Sequence, residues 1–96
     1  MILKELSEAF GPSGSEKDVR NVLRGALEGH VDRMWVDALG NLHTEKEGSG
    51  AERMRTLLTA HMDEVGLMVI GHTDSGGLKV GTIGGIDPRV LPGAVV

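Results

Sequence analysis

Thr59-Ala60-His61-Met62-Asp63-Glu64-Val65-Gly66 follows the apolar run Met54 to Leu58. The run predicts a buried central strand. A His at its carboxyl end, an Asp two residues later and a closing Gly suit a metal site at the mouth of a sheet. His61 would offer one ring nitrogen to a cation, and Asp63 would hold the other ring nitrogen or the site around it. A metal-bound His normally donates its second N–H to an acceptor, which fixes the tautomer and the ring orientation. His-x-Asp is a short motif, so the surrounding chain has to decide whether it marks a site.

Outward from this stretch the texture changes. On the amino-terminal side, Met1 to Ala9 reads as a short helix and Gly11-Pro12-Ser13-Gly14 as a break. Ser13 and Glu16 have the spacing of a capping box, in which each side chain satisfies an orphan N–H at a helix start. The helix expected over about Ser15 to Glu28 carries an apolar stripe of Val19, Val22, Leu23, Ala26 and Leu27, with Gly29 as its stop. Val31 to Val36 and Leu42 to Lys46 read as strands around the turn Asp37-Ala38-Leu39-Gly40-Asn41. Glu47 to Glu52 reads as a polar hairpin loop before the central strand.

Beyond Gly66, short strands alternate with glycine turns. Val65 to Ile70 and Leu78 to Ile83 flank Asp74-Ser75-Gly76-Gly77, and Gly84-Gly85 ends the pair. More than half of the chain's 15 glycines lie between Gly66 and Gly93. This pattern predicts a β-barrel-like or sandwich unit rather than another βαβ layer, with a domain boundary near Gly66. Ala94-Val95-Val96 reads as the start of a strand with no polar tail. The expectation is therefore that the 96 residues are the front part of a longer protein.

Composition narrows the function. A formal charge of −4 argues against nucleic acid or an anionic membrane as the main partner. Trp35 and Phe10 are the only aromatic residues, too few for stacking platforms. With no cysteine, any metal must be held by His and carboxylates, which fits Zn, Co or Mn in a hydrolytic centre better than a structural zinc knot. No apolar run approaches the roughly 20 residues of a membrane span, and charges interrupt the amino terminus at once, so a cytoplasmic location is expected.

The motifs Gly11-Pro12-Ser13-Gly14, Asp37-Ala38-Leu39-Gly40-Asn41, Ala60-His61-Met62-Asp63-Glu64-Val65-Gly66 and Gly84-Gly85-Ile86-Asp87 occur in one order. Together they resemble the amino-terminal part of the glutamyl and deblocking metallo-aminopeptidases that assemble as tetrahedral particles. Some members of that family have carried the name endoglucanase. The resemblance implies an α/β fold: residues 1–66 as the amino-terminal part of a zinc-exopeptidase-like catalytic domain, and residues 67–96 as the start of an inserted β-barrel-like domain. It implies two divalent metal ions, Zn or Co, with His61 as a ligand and Asp63 as the acid supporting it. The remaining ligands and the general-base glutamate match nothing in these 96 residues, so the chain by itself is expected to be inactive. A peptide substrate and a homo-oligomer built from dimers are implied as partners.

Other residues read as structural. His30 marks a helix end, His43 lies in a solvent-facing strand and His72 precedes a turn. Glu64 should face away from His61, because adjacent strand residues point to opposite faces. Arg89 either anchors its loop or meets a partner subunit. Two rival functions remain: a related metallo-exopeptidase or deacylase, and a non-catalytic β-rich binding or assembly module should the chain be complete.

Overall fold

The computed structural model describes residues 1–52 and 54–95. Two helices come first, α1 (Ile2–Glu8) and α2 (Lys17–Leu27). The stripe on α2 does what its spacing requires. Val19 is buried at 6% exposure, Val22, Leu23 and Leu27 are half-buried, and Leu6 of α1 closes over the same face. Gly29 stops the helix with φ +77, a conformation that costs glycine little. The His30 amide then closes the turn on the Leu27 carbonyl at 3.0 Å.

The start of α2 differs from expectation. The helix begins at Lys17, two residues later than Ser15, with Glu16 at the N-cap and no side-chain cap. The Ser13 hydroxyl donates instead to Asp63, a charge-assisted bond that outcompetes a neutral cap. Glu16 takes the Gly14 amide at 2.6 Å.

Strands β1 (Arg33–Val36) and β2 (Leu42–Glu45) form one antiparallel hairpin, with Met34 opposite Thr44 and Trp35 opposite His43. Strands β3 (Gly66–His72) and β4 (Leu78–Ile83) form a second, with a bulge between Val69 and Gly71. Thr73 closes that hairpin, since its amide donates to the Gly77 carbonyl and its hydroxyl accepts the Gly77 amide, both at 2.8 Å. A 3-10 turn, Pro88–Val90, follows, capped by Asp87. The Arg89 guanidinium folds back onto Asp87 through Nε at 3.0 Å, so Arg89 anchors its own loop.

The central strand expected at Met54 to Ala60 is not formed. Residues 54–60 have no strand partner among the described residues, and Leu58 is 90% exposed. An extended segment becomes a strand only when neighbours take up its N–H and C=O groups. The nearby ladder contact is a single parallel bridge, Pro12 to Glu64. Ala94 and Val95 likewise carry no strand, and Val96 lies outside the described residues. The architecture is thus mixed α/β with two separate antiparallel hairpins. The accessible surface is 8227 Å², whereas a folded monomeric protein of this length exposes about 5,300 Å².

Candidate functional site

Two chain segments far apart in sequence are sewn together beneath His61. The Glu64 amide donates to the Gly11 carbonyl at 2.9 Å, and the Gly11 amide returns a bond to Glu64 Oε1 at 3.2 Å. Glu64 is therefore committed to this loop rather than to His61. Gly11 is needed here because a Cβ would come 2.4 Å from Cγ2 of Val19.

This seam brings Ser13 against Asp63. One carboxylate oxygen of Asp63 accepts the Ser13 hydroxyl, and the other, Oδ1, lies 3.0 Å from Nδ1 of His61. The Asp63 carbonyl sits at the same 3.0 Å from Nδ1. Both groups facing Nδ1 are acceptors, so Nδ1 must carry the proton. In the neutral imidazole Nε2 then carries the lone pair. The His61 side chain is 86% exposed, so this nitrogen is open to an incoming cation. The Ser13 hydroxyl above all, opposed by desolvation and helped by the His61 ring, holds the Asp63 carboxyl below its ordinary range.

Residues 60–63 border two hollows. One is an open, largely apolar groove of about 370 Å³ lined by Leu6, Val19, Leu23, Leu27 and Leu42 as well as the His61 segment. The other, of about 150 Å³, lies between His61 and the Gly40–Asn41 turn. That turn is rigidly built. Asp37 Oδ1 accepts the amides of Leu39 and Asn41, each at 2.9 Å. Oδ2 accepts the Asn41 side-chain amide at 2.8 Å and lies 2.9 Å from Nε2 of His43. These bonds, His43 first and Asn41 next, depress the Asp37 carboxyl well below the usual carboxylate range. Arg20 of α2 holds the turn from outside, with Nη1 donating to the Gly40 carbonyl at 2.7 Å.

His43 is half-buried rather than solvent-facing. Its ring is committed to Asp37 and stacked on Trp35. Among the described residues no three His, Cys, Asp or Glu side chains converge to hold a metal, and none of the helices is long and apolar enough to cross a membrane. The donor set nevertheless fits one corner of a metal site, because His61 is exposed and its Nδ1 is tied to a carboxylate, which leaves Nε2 as the nitrogen available to a cation in the neutral ring. Sequence reasoning missed Ser13, Arg20 and Asp37 as builders of this region. Ser13 gave no local signal for a partner 50 positions away, and Asp37 was legible only as a turn residue.

Residues 40–96, which include His61 and both later strands, match the sequence model of the M42 glutamyl aminopeptidase family. The chain is 36% identical over 92 residues to a lysyl aminopeptidase of Pyrococcus furiosus, an alignment covering 94% of this chain and 25% of the relative. It spans about a quarter of the length of the curated relatives it matches. Among solved structures, an endoglucanase from Thermotoga maritima is similar with a TM-score of 0.84 and 44% identity, over 95% of this chain and 29% of that one. A TET aminopeptidase from a marine sediment archaeon of the Thaumarchaeota is similar with a TM-score of 0.81 and 38% identity, over 94% and 25% of the two chains.

Proposed function

This chain belongs to the M42 glutamyl aminopeptidase family, and from that premise we propose that it contributes one corner of a dinuclear metal centre in an enzyme that removes amino-terminal residues from peptides. The observation that carries the reading is the setting of His61: Nδ1 faces two acceptors, and the rest of the ring is exposed. When bound, a pair of divalent ions such as Zn or Co supplies a Lewis acid for the scissile carbonyl and an activated water. The chain's own residues do the orienting. His61 is the ligand, Asp63 fixes its ring, and the apolar groove beside it offers room for a substrate side chain.

Residues 1–66 form part of the catalytic domain in this reading, and residues 67–96 begin the inserted β-rich unit. The separation of the two hairpins into different sheets supports that division. The edges of β3 and β4, with Met68, Ile70 and Leu78 exposed, suit assembly into a homo-oligomer. A cytoplasmic enzyme acting on short peptides follows from the same reading.

The endoglucanase name of one structural neighbour does not change this. Glycoside hydrolysis uses two carboxyl groups flanking the bond, one of them free to give a proton. The Asp63 carboxylate is committed on both oxygens to Ser13 and His61.

The test is a Co²⁺ titration of the isotopically labelled chain, read at the ring nitrogens of its four histidines. His61 should broaden first and through Nε2. Broadening no stronger at His61 than at His30 or His72 would remove it from the metal site.

A further inference from the structure

Among the described residues, Ser13 is the side chain outside the His-x-Asp segment that reaches into its hydrogen-bond chain, and the fold anchors the loop that carries it. The loop bearing it is joined to the site by the Pro12–Glu64 bridge and by the two Gly11–Glu64 bonds. It is closed on itself by the Ser15 amide on the Pro12 carbonyl at 2.8 Å and by the Gly14 amide on Glu16 at 2.6 Å. Gly11 and Pro12 are both buried. The backbone beneath Ser13 is thus anchored on both sides, and its hydroxyl points at Asp63 Oδ2.

Asp63 stands one residue before the Pro12–Glu64 bridge, and its own carbonyl faces Nδ1 of His61 at 3.0 Å beside the carboxylate. The Ser13 hydroxyl takes one oxygen and so presents the other, Oδ1, to Nδ1 of His61. We propose that Ser13 is a positioning residue for His61: by holding Asp63 it locks the Nδ1–H tautomer and leaves Nε2 as the outward donor. The inference rests on the reading of His61 as a metal ligand, but its first consequence, the tautomer, exists without any metal.

The experiment is a long-range proton–nitrogen spectrum of the chain, taken well above the ordinary imidazole pKa of about 6.5. In the native chain His61 should be almost wholly Nδ1–H. In Ser13→Ala the two tautomers should mix, while His43, held by Asp37, keeps its pattern. Ser13→Thr, which retains the hydroxyl, should restore the native pattern. Co²⁺ affinity at His61 should fall about 10-fold in Ser13→Ala, the size typical when a ligand loses its supporting hydrogen bond.

Unchanged His61 tautomers in Ser13→Ala would overturn the proposal, as would a Ser13→Thr spectrum that follows the alanine variant. Should Ser13→Ala lose the Gly11 and Glu64 amide signals of the native loop, Ser13→Cys, close in volume but a weaker donor, takes its place with the same two outcomes. A His61 that is Nδ1–H yet is no metal ligand in an active protein carrying this segment would end the metal reading and leave the role of Ser13 standing.

Discussion

The imidazole of His43 lies flat against the indole of Trp35, with ring centroids 5.1 Å apart and planes within 8°. The two residues face each other across the β1–β2 ladder. Arg33 lies on the indole as well, its guanidinium carbon 5.2 Å from the ring centroid, and pairs with Glu45 opposite it at 3.1 Å. The stack gives a small, exposed hairpin a side-chain cluster of its own. It also aims Nε2 of His43 at Asp37, so the turn and the strand pair are held by one carboxylate.

That carboxylate sets the hairpin's acid response. The folded-state pKa of Asp37 is depressed by His43 and Asn41, so its contribution is fully present above the unfolded value of about 3.9. It is lost as pH falls through the depressed value. The amide shifts of Leu39 and Asn41 should therefore hold their native positions down through the ordinary carboxylate range and move only below it. Asp37→Asn removes the charge and should weaken amide protection at both residues already at neutral pH. A native transition of these amides centred near the ordinary carboxylate value would contradict this.

A packing prediction concerns the seam under the site. A methyl on Gly11 would sit 2.4 Å from Val19 Cγ2, the side chain that forms the buried centre of the helix pair. Gly11→Ala should cost about 1–3 kcal/mol, the usual range for overpacking a tight contact. Val19→Ala deletes the opposing methyl, so the double variant should be more stable than the two separate losses add up to. Urea midpoints of the four proteins measure the coupling. Simple additivity would show that the seam relaxes freely around the new methyl.

The contact between His61 and Asp63 was more legible than the packing around it. His61 and Asp63 could be paired from their spacing because a bond between neighbours two residues apart is local. The β3 and β4 hairpin was legible for the same reason: its period-2 pattern and the turn chemistry around Gly76 are contained in one short segment. Ser13 was misread as a helix cap because its actual partner is 50 positions away. The Met54 to Ala60 strand failed for a related reason. Met54, Leu57 and Leu58 favour burial, but hydrogen-bond partners are supplied by other segments, and residues 54–60 form no strand among the described residues.

Loss of the proposed ligand or its support should be separable in an active protein that carries this segment. His61→Ala should remove one metal and nearly all activity. Asp63→Asn should keep the fold and weaken metal binding roughly 10–100-fold. Calorimetric titration gives both the stoichiometry and the affinity. Unchanged stoichiometry in the His61 variant would place the ligand elsewhere. The 96-residue chain by itself should release no amino acids from peptides with any divalent metal, since a dinuclear site needs several ligands and no such cluster is formed among the described residues.

The last prediction follows from the uncovered apolar segment. Met54, Leu57 and Leu58 are each 85–90% exposed on a stretch that forms no strand among the described residues. Unpaired extended chain with apolar side chains is a template for pairing with another copy. Burying one such Leu side chain contributes about 1.5–3 kcal/mol, so two or three of them, together with backbone bonds, are enough to drive association at high protein concentration. The chain should therefore self-associate, and scattered light should rise with concentration. Leu57→Lys combined with Leu58→Lys should suppress this while leaving the amide shifts of the Arg33–Glu45 hairpin unchanged. Association that persists in the double variant would move the contact to the edges of β3 and β4. A monodisperse native monomer at high concentration would show that residues 54–60 find cover within their own chain.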